Sequence, residues 1–288
     1  MKIKDLSRKL HSFIQRIKKI PWIAFIFRIA EELGKDNAGD MAASIAYYAF
    51  LSIFPLLLGI IAVLGIFLPS ETVQTYIFDY AEQYLPNSIQ IIERNIDMII
   101  EARGTLGVVS IIGLFWTGSA IFEAIGRAVN RAWNITKKRP YFIRKLRILL
   151  MSFSTGILFL ISMAANTFSS IIPRIDLPVL DSLAIIVVRL TGFILLFIVI
   201  TLLFRYMPNT KTSWRYIWPG AIFTTILFEL ARSIFTFYLS NFASYDMVYG
   251  SLAAIVILLV WIYFSALIFI IGAEFSSEFT RLRSRAQI

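Results

Sequence analysis

The sequence has no cysteine and one histidine, His11. Disulfides and thiolate metal sites are therefore excluded, and no histidine cluster exists for metal or acid–base work. Charge is also scarce. Asp, Glu, Lys and Arg make up 16% of the 288 residues, against about 25% in an average globular chain. What fills the space is hydrophobic: 58% of residues, with 25 Phe, gathered into long runs. A chain of this kind is built for a bilayer rather than for a soluble core.

The net charge is +10. In a soluble protein that excess would suggest nucleic acid. In a membrane protein it reads as Lys and Arg held on the cytoplasmic face, so no nucleic-acid partner is expected. The opening MKIKDLSRKLHSFIQRIKKIPW spreads its charges through the whole stretch. It lacks the apolar core and small-residue site of a cleavable signal.

Six segments carry enough apolar residues to cross about 30 Å of hydrocarbon: residues 41–68, 105–127, 146–172, 183–206, 217–241 and 249–273. The connections set the orientation. Segment 69–103 holds Glu71, Asp79, Glu82, Glu93, Asp97 and Glu101 against Arg94 and Arg103. Segment 127–147 holds Arg127, Arg131, Lys137, Lys138, Arg139, Arg144, Lys145 and Arg147 and no acid. Lys211 and Arg215 lie in the fourth connection, and the chain ends in a basic tail. Basic residues thus recur on every second side, which puts both termini in the cytoplasm.

The expected fold is all-α: a polytopic membrane protein with six transmembrane helices. Residues 1–34 form cytoplasmic interfacial amphipathic helices, since Ile3, Leu6, Leu10, Phe13, Ile14 and Ile17 recur at helical spacing among basic residues. A second short helix covers about 22–34. Residues 35–280 form the membrane domain, including an outer helical hairpin at 70–103 that breaks near Pro86, and residues 281–288 form the basic cytoplasmic tail. Anionic lipids of the inner leaflet are the expected partners of the basic helix.

Charges at depth need an account. Glu229 sits near the middle of the fifth span and Arg232 three residues on, which places both on one helix face. Arg189 lies in the outer third of the fourth span, Asn166 in the outer half of the third, and Asp246 at the mouth before the sixth. A charge at the bilayer centre costs roughly 2.5–3.5 kcal/mol on insertion scales, so such groups pair or line a polar cavity. Two alternatives stay open: an internal Glu229–Arg232 pair with Arg189 nearby, or a cavity whose arginines receive an anionic head group. Glu123 and Arg127 read as an i,i+4 pair, and Glu274 as the polar end of the sixth span.

Pro55, with Ser52 three residues earlier, predicts a kink or hinge in the first span. The second and sixth spans align without a gap, Gly104 to Gly126 against Gly250 to Gly272. That match suggests duplicated hairpins of the parallel-repeat kind seen in transporters and singles out Gly250 and Gly272 as structural positions.

Three stretches together resemble a known family: MAASIAYYAFLSIFPLLLGIIAVLG from Met41, YMPNTKTSWRYIWPGA from Tyr206, and YGSLAAIVILLVWIYFSALIFIIGAEF from Tyr249. They resemble the YihY/BrkB family of bacterial inner-membrane proteins, from about residue 30 to 280. The resemblance implies a six-span helical protein of the bacterial plasma membrane, and lipid or lipid-precursor transport by analogy. Part of that family carries the label ribonuclease BN. The residues here do not support a metal nuclease, which needs clustered His and Asp ligands. No enzyme activity, metal or cofactor is expected.

Two functions follow. One is a transporter or flippase-like protein for an anionic amphipathic substrate such as a lipid or small lipid precursor. The other is a non-transporting membrane scaffold in envelope maintenance. An ion channel is a third option without a filter motif, and a homo-oligomer is compatible with either main reading.

Overall fold

The computed structural model describes residues 21–67, 75, 89–136, 139–171, 178–210, 212–242 and 253–285. Seven helices make up the described secondary structure: α1 Pro21–Lys35, α2 Ala38–Phe67, α3 Ile89–Ala132, α4 Tyr141–Ile171, α5 Pro178–Tyr206, α6 Trp214–Phe242 and α7 Ala253–Arg285. The six expected spans fall on α2 to α7. Among the described residues, α6 over Trp214–Ser240 and α7 over Ile255–Arg283 are long and apolar enough to cross a membrane.

Two boundaries differ from the sequence reading. The second arm of the outer hairpin is not separate: α3 runs unbroken for 44 residues from Ile89. No proline interrupts it, and a glycine such as Gly104 or Gly107 weakens a helix without ending one. The last helix continues past residue 273 to Arg285, because Phe275 and Phe279 carry the apolar spacing onward. The interfacial helix at 1–20 and the first hairpin arm, Thr75 excepted, lie outside the described residues.

The chain divides into two compact units: residues 1–46 with 122–288, and residues 47–121. In the first, α4 packs on α5, α5 on α6, α6 on α7, and α7 on α1. Its core gathers Ile200, Phe204, Ile217, Ala221 and Ala273 around Ala132. Phe204 lies 5.9 Å from the Trp133 ring and 5.2 Å from that of Phe269. Proline at the first position of α1 suits a helix start. Phe25 and Ile29, buried one turn apart, seat α1 on α7, with Phe25 edge-on to Phe275 at 5.1 Å.

Small residues set the α6–α7 distance. A Cβ on Gly220 would fall 2.5 Å from the Ser276 Cβ, and one on Gly272 would run into the Thr224 side chain. Each helix therefore presents a glycine opposite the other's hydroxyl residue four positions along. Such small-residue contacts let backbones approach where lipid offers no hydrophobic drive between helices.

In the second unit α2 passes through Pro55 without ending. Ser52 Oγ donates to the Ala49 carbonyl at 2.6 Å, a back-bond of the kind that bends helices, while the carbonyl left without its helical donor by Pro55 is that of Leu51. The Pro55 ring lies against Gly113 of α3, where an added Cβ would sit 3.0 Å from Pro55 Cβ and Cγ. Gly113→Ala should therefore lower stability by about 1–2 kcal/mol through overpacking, despite its gain in helix propensity of up to about 1 kcal/mol. Melting of the purified variant in detergent measures this. An unchanged or raised midpoint would mean that Pro55 moves aside.

Candidate functional site

The α3–α4 connection ends one side of the first unit. Asn134, at φ 51°, terminates α3 in the left-handed conformation that Asn tolerates. Asn130, in the last turn, donates from Nδ2 to the Gly126 carbonyl at 2.6 Å, and its Oδ1 accepts from the Asn209 N–H at 2.7 Å. That bond ties the α5–α6 connection to the end of α3.

Arginines do the rest. Arg139 Nη2 donates to the Pro208 carbonyl at 3.0 Å, and Arg147 Nη1 donates to the Tyr206 carbonyl at 2.8 Å and Pro208 at 3.3 Å. Carbonyls at a helix C-terminus lack intrahelical partners and carry the negative end of its dipole, so guanidinium groups fit there. Between these elements lies a cavity of about 540 Å³, within the range of small-molecule sites. Its lining includes Arg127, Arg139, Arg144 and Arg147 against the single carboxylate of Glu123.

That carboxylate is engaged. Glu123 meets Lys145 at 3.8 Å and not Arg127, which corrects the i,i+4 pairing expected from sequence. Lys145 of α4 supplies a nearer cation than the next turn of α3. Among the described residues neither Arg127 nor Arg144 has an ion pair; Arg144 stacks over the Tyr141 ring at 5.6 Å. Burial pulls the Arg139 pKa below the ordinary arginine value, since desolvation disfavours the charged form. Its Nη1 is buried without a hydrogen-bond partner among the described residues. A buried donor of this kind is costly unless something accepts from it, and an anionic oxygen would.

The surroundings suit a membrane surface. Phe142, Leu146 and Leu150, spaced by four along α4, are exposed. Arg205 lies over the Trp214 ring at 5.6 Å, with Tyr206 beside it, and Trp218 is exposed. Aromatic and basic residues mix in this way at the lipid–water boundary.

Of the candidate site residues singled out from sequence, none that is described lines this cavity. Glu229 and Arg232 on α6 pair with each other at 2.8 Å, with Arg232 the more exposed of the two. Arg189 belongs to α5 and Asn166 to α4, but their side chains lie outside what is described. Asp246 and Gly250 fall outside the described residues. Gly272 is buried and packed on Thr224, whereas its aligned partner Gly126 lines the cavity. Pro55 and Ser52 lie within the continuous helix α2, as given above. Hydropathy reasoning counted Arg139, Arg144 and Arg147 as orientation signals only. The feature that could have flagged them was the acid-free run of eight basic residues.

Among the described residues no group of three His, Asp or Glu is placed to hold a metal ion.

Residues 29–288 match the family described as virulence factor BrkB. A ribonuclease-like protein of Bacillus subtilis, YfkH, is 30% identical, covering 88% of this chain and 94% of its own. A UPF0761 membrane protein of Pseudoalteromonas translucida is 29% identical over 89% of this chain and 84% of its own. One of Photobacterium profundum is 27% identical over 95% and 85%. No solved structure matches.

Proposed function

The chain belongs to the BrkB virulence-factor family of membrane proteins, and from that premise we propose that it moves an anionic amphipathic substrate, a lipid or lipid precursor, across the bacterial plasma membrane. The observation that carries this reading is the arginine cavity, with four guanidinium groups, one engaged carboxylate and a buried donor on Arg139 left over. Arginine holds phosphate through two parallel bonds. Basic pockets between helices on the cytoplasmic side suit lipid phosphates.

In this reading six spans cross the membrane with both termini inside. The α1–α2 junction, the α3–α4 and α5–α6 connections and the end of α7 share the cytoplasmic side. Their contacts support it: Arg131 with Asp36, Asn130 with Asn209, and Arg281 with the Ala132 carbonyl. The cavity is the inner head-group site. Arg189 and the Glu229–Arg232 pair are candidate contacts further along the path.

Proteoliposomes carrying head-group-labelled phosphatidylglycerol or phosphatidylcholine test the reading. The protein should accelerate exchange of the anionic lipid above protein-free vesicles. Arg127→Gln with Arg144→Gln should slow that exchange at least fivefold while leaving the melting midpoint unchanged, since among the described residues neither guanidinium holds another element. Exchange indistinguishable from empty vesicles for every lipid would remove the transport reading and leave the scaffold.

A further inference from the structure

At the α1–α2 junction the backbone reverses through Asn37 at φ 52°. The turn directs Asp36 inward, leaving it 8% exposed, and α7 presents Glu274, 2% exposed, and Glu278, 8%, to the same region. With Glu32 of α1, four buried or half-buried acids thus meet where α1, α3 and α7 come together. Three have cations. Glu278 meets Arg28 at 3.3 Å and Arg281 at 3.5 Å, Asp36 Oδ1 meets Arg131 Nε at 3.4 Å, and Glu32 meets Lys35 at 3.1 Å.

Glu274 has no ion pair among the described residues. Its Oε1 and the second oxygen of Asp36 are buried and meet no donor among the described residues. Yet the two carboxyl groups lie within hydrogen-bonding reach of each other. Ionised carboxylates only accept, and two negative charges at that distance cannot both persist away from water. A single proton removes the repulsion and supplies the missing donor. We propose that Glu274 is a proton-binding site: it holds a proton at neutral pH and donates it to the free oxygen of Asp36.

The charged groups facing the pair are Arg28 and Glu32 of α1, Arg131 of α3, and Glu278 and Arg281 of α7. All but Glu32, which Lys35 holds from the solvent side, are committed within the cluster. The site also has a neighbour. Arg131, which holds Asp36, follows Asn130 and lies one turn beyond Arg127, and both of those line the arginine cavity. Release of the proton would therefore alter the charge on the far side of the helix turn that forms the cavity wall. The proton site itself does not depend on the transport reading.

Infrared difference spectra of the full chain in nanodiscs, taken between about pH 5 and pH 9, test it across the range above ordinary carboxyl titration. Wild type should show a protonated-carboxyl C=O band that survives at pH 7, shifts in deuterated water and fades toward pH 9. Glu274→Gln should abolish it, whereas Asp36→Asn should shift its frequency, because burial still keeps Glu274 protonated while its hydrogen-bond acceptor has changed. Melting supplies a second readout. The native pair keeps a proton that the unfolded chain has released above about pH 4–5, so wild-type stability falls as pH rises through that range until the pair itself ionises. Glu274→Gln imitates the protonated form. Its midpoint should stay flat with pH and match or exceed wild type at pH 9. The site is overturned if no such band is present at pH 7, or if the band survives in Glu274→Gln or keeps its frequency in Asp36→Asn. It is overturned equally if Glu274→Gln melts below wild type across the whole range, or if sodium but not choline raises the wild-type midpoint at pH 9, which would assign a metal cation instead.

Discussion

Gly272→Leu should unfold the protein at temperatures that leave wild type intact. Where Gly272 stands, even a first side-chain carbon runs into Thr224, whose Cβ and Cγ2 would lie only 2.8 and 2.9 Å away. Thr224 has nowhere to go. It is 1% exposed, and its hydroxyl donates to the Gly220 carbonyl at 2.7 Å. Room can come only from separating α6 and α7, which pack extensively on each other. Overpacking costs typically 1–3 kcal/mol. Gly272→Ala should fall in that range, because its propensity gain of at most about 1 kcal/mol is smaller than the clash. Leucine adds three further carbons to a site with no space for one, and should exceed it. Thr224→Ala removes the hydroxyl and methyl and should recover about 1 kcal/mol or more in the double variant with Gly272→Ala, the coupling expected of touching residues. Detergent melts of the four proteins in this cycle measure it. Additive losses would show that the two positions do not compete for one space.

Arg139→Lys should lower affinity for a phosphate-bearing lipid about tenfold to a hundredfold although the charge is kept. Arg139 already spends one nitrogen on the Pro208 carbonyl, and its other terminal nitrogen is buried without a partner among the described residues. Lysine can supply one of those bonds, not both, because its ammonium lacks the planar fork. A hydrogen bond to a charged partner contributes about 1.5–3 kcal/mol, and about 1.4 kcal/mol is a factor of ten. Arg139→Gln should lose at least as much. Calorimetric titration of the purified protein with short-chain phosphatidic acid, at low and moderate salt, gives the comparison. Equal affinity in wild type and both variants would mean that the cavity does not receive the anion. Melts run in parallel report how far the lost Pro208 contact loosens the α5–α6 connection.

The helices were legible because hydropathy is local. Runs such as ILLFIVITLLF in α5 or AAIVILLVWIYF in α7 have one stable form in an apolar setting, where every backbone group must be satisfied within the segment. Continuity past residue 273 was less so. Glu274 and Glu278 look like the polar end of a span, and only α1 lying against α7 shows them to be buried. The same holds for Glu123. Its i,i+4 neighbour Arg127 is the obvious partner on a bare helix, but Lys145 on another helix meets it instead.

From the residues themselves came the membrane class, the all-helical fold, the basic sides of the chain, and Glu229 and Arg232 on one face of α6. Each depends on residues within a turn or two of one another. The cavity and the carboxyl pair were decided by tertiary structure alone. Arg139 reaches a carbonyl 69 residues on, and Asp36 and Glu274 come from opposite ends of the chain. Whether a charge is solvated, paired or left facing another charge is set by what packs against it, and spacing along one helix carries no record of that.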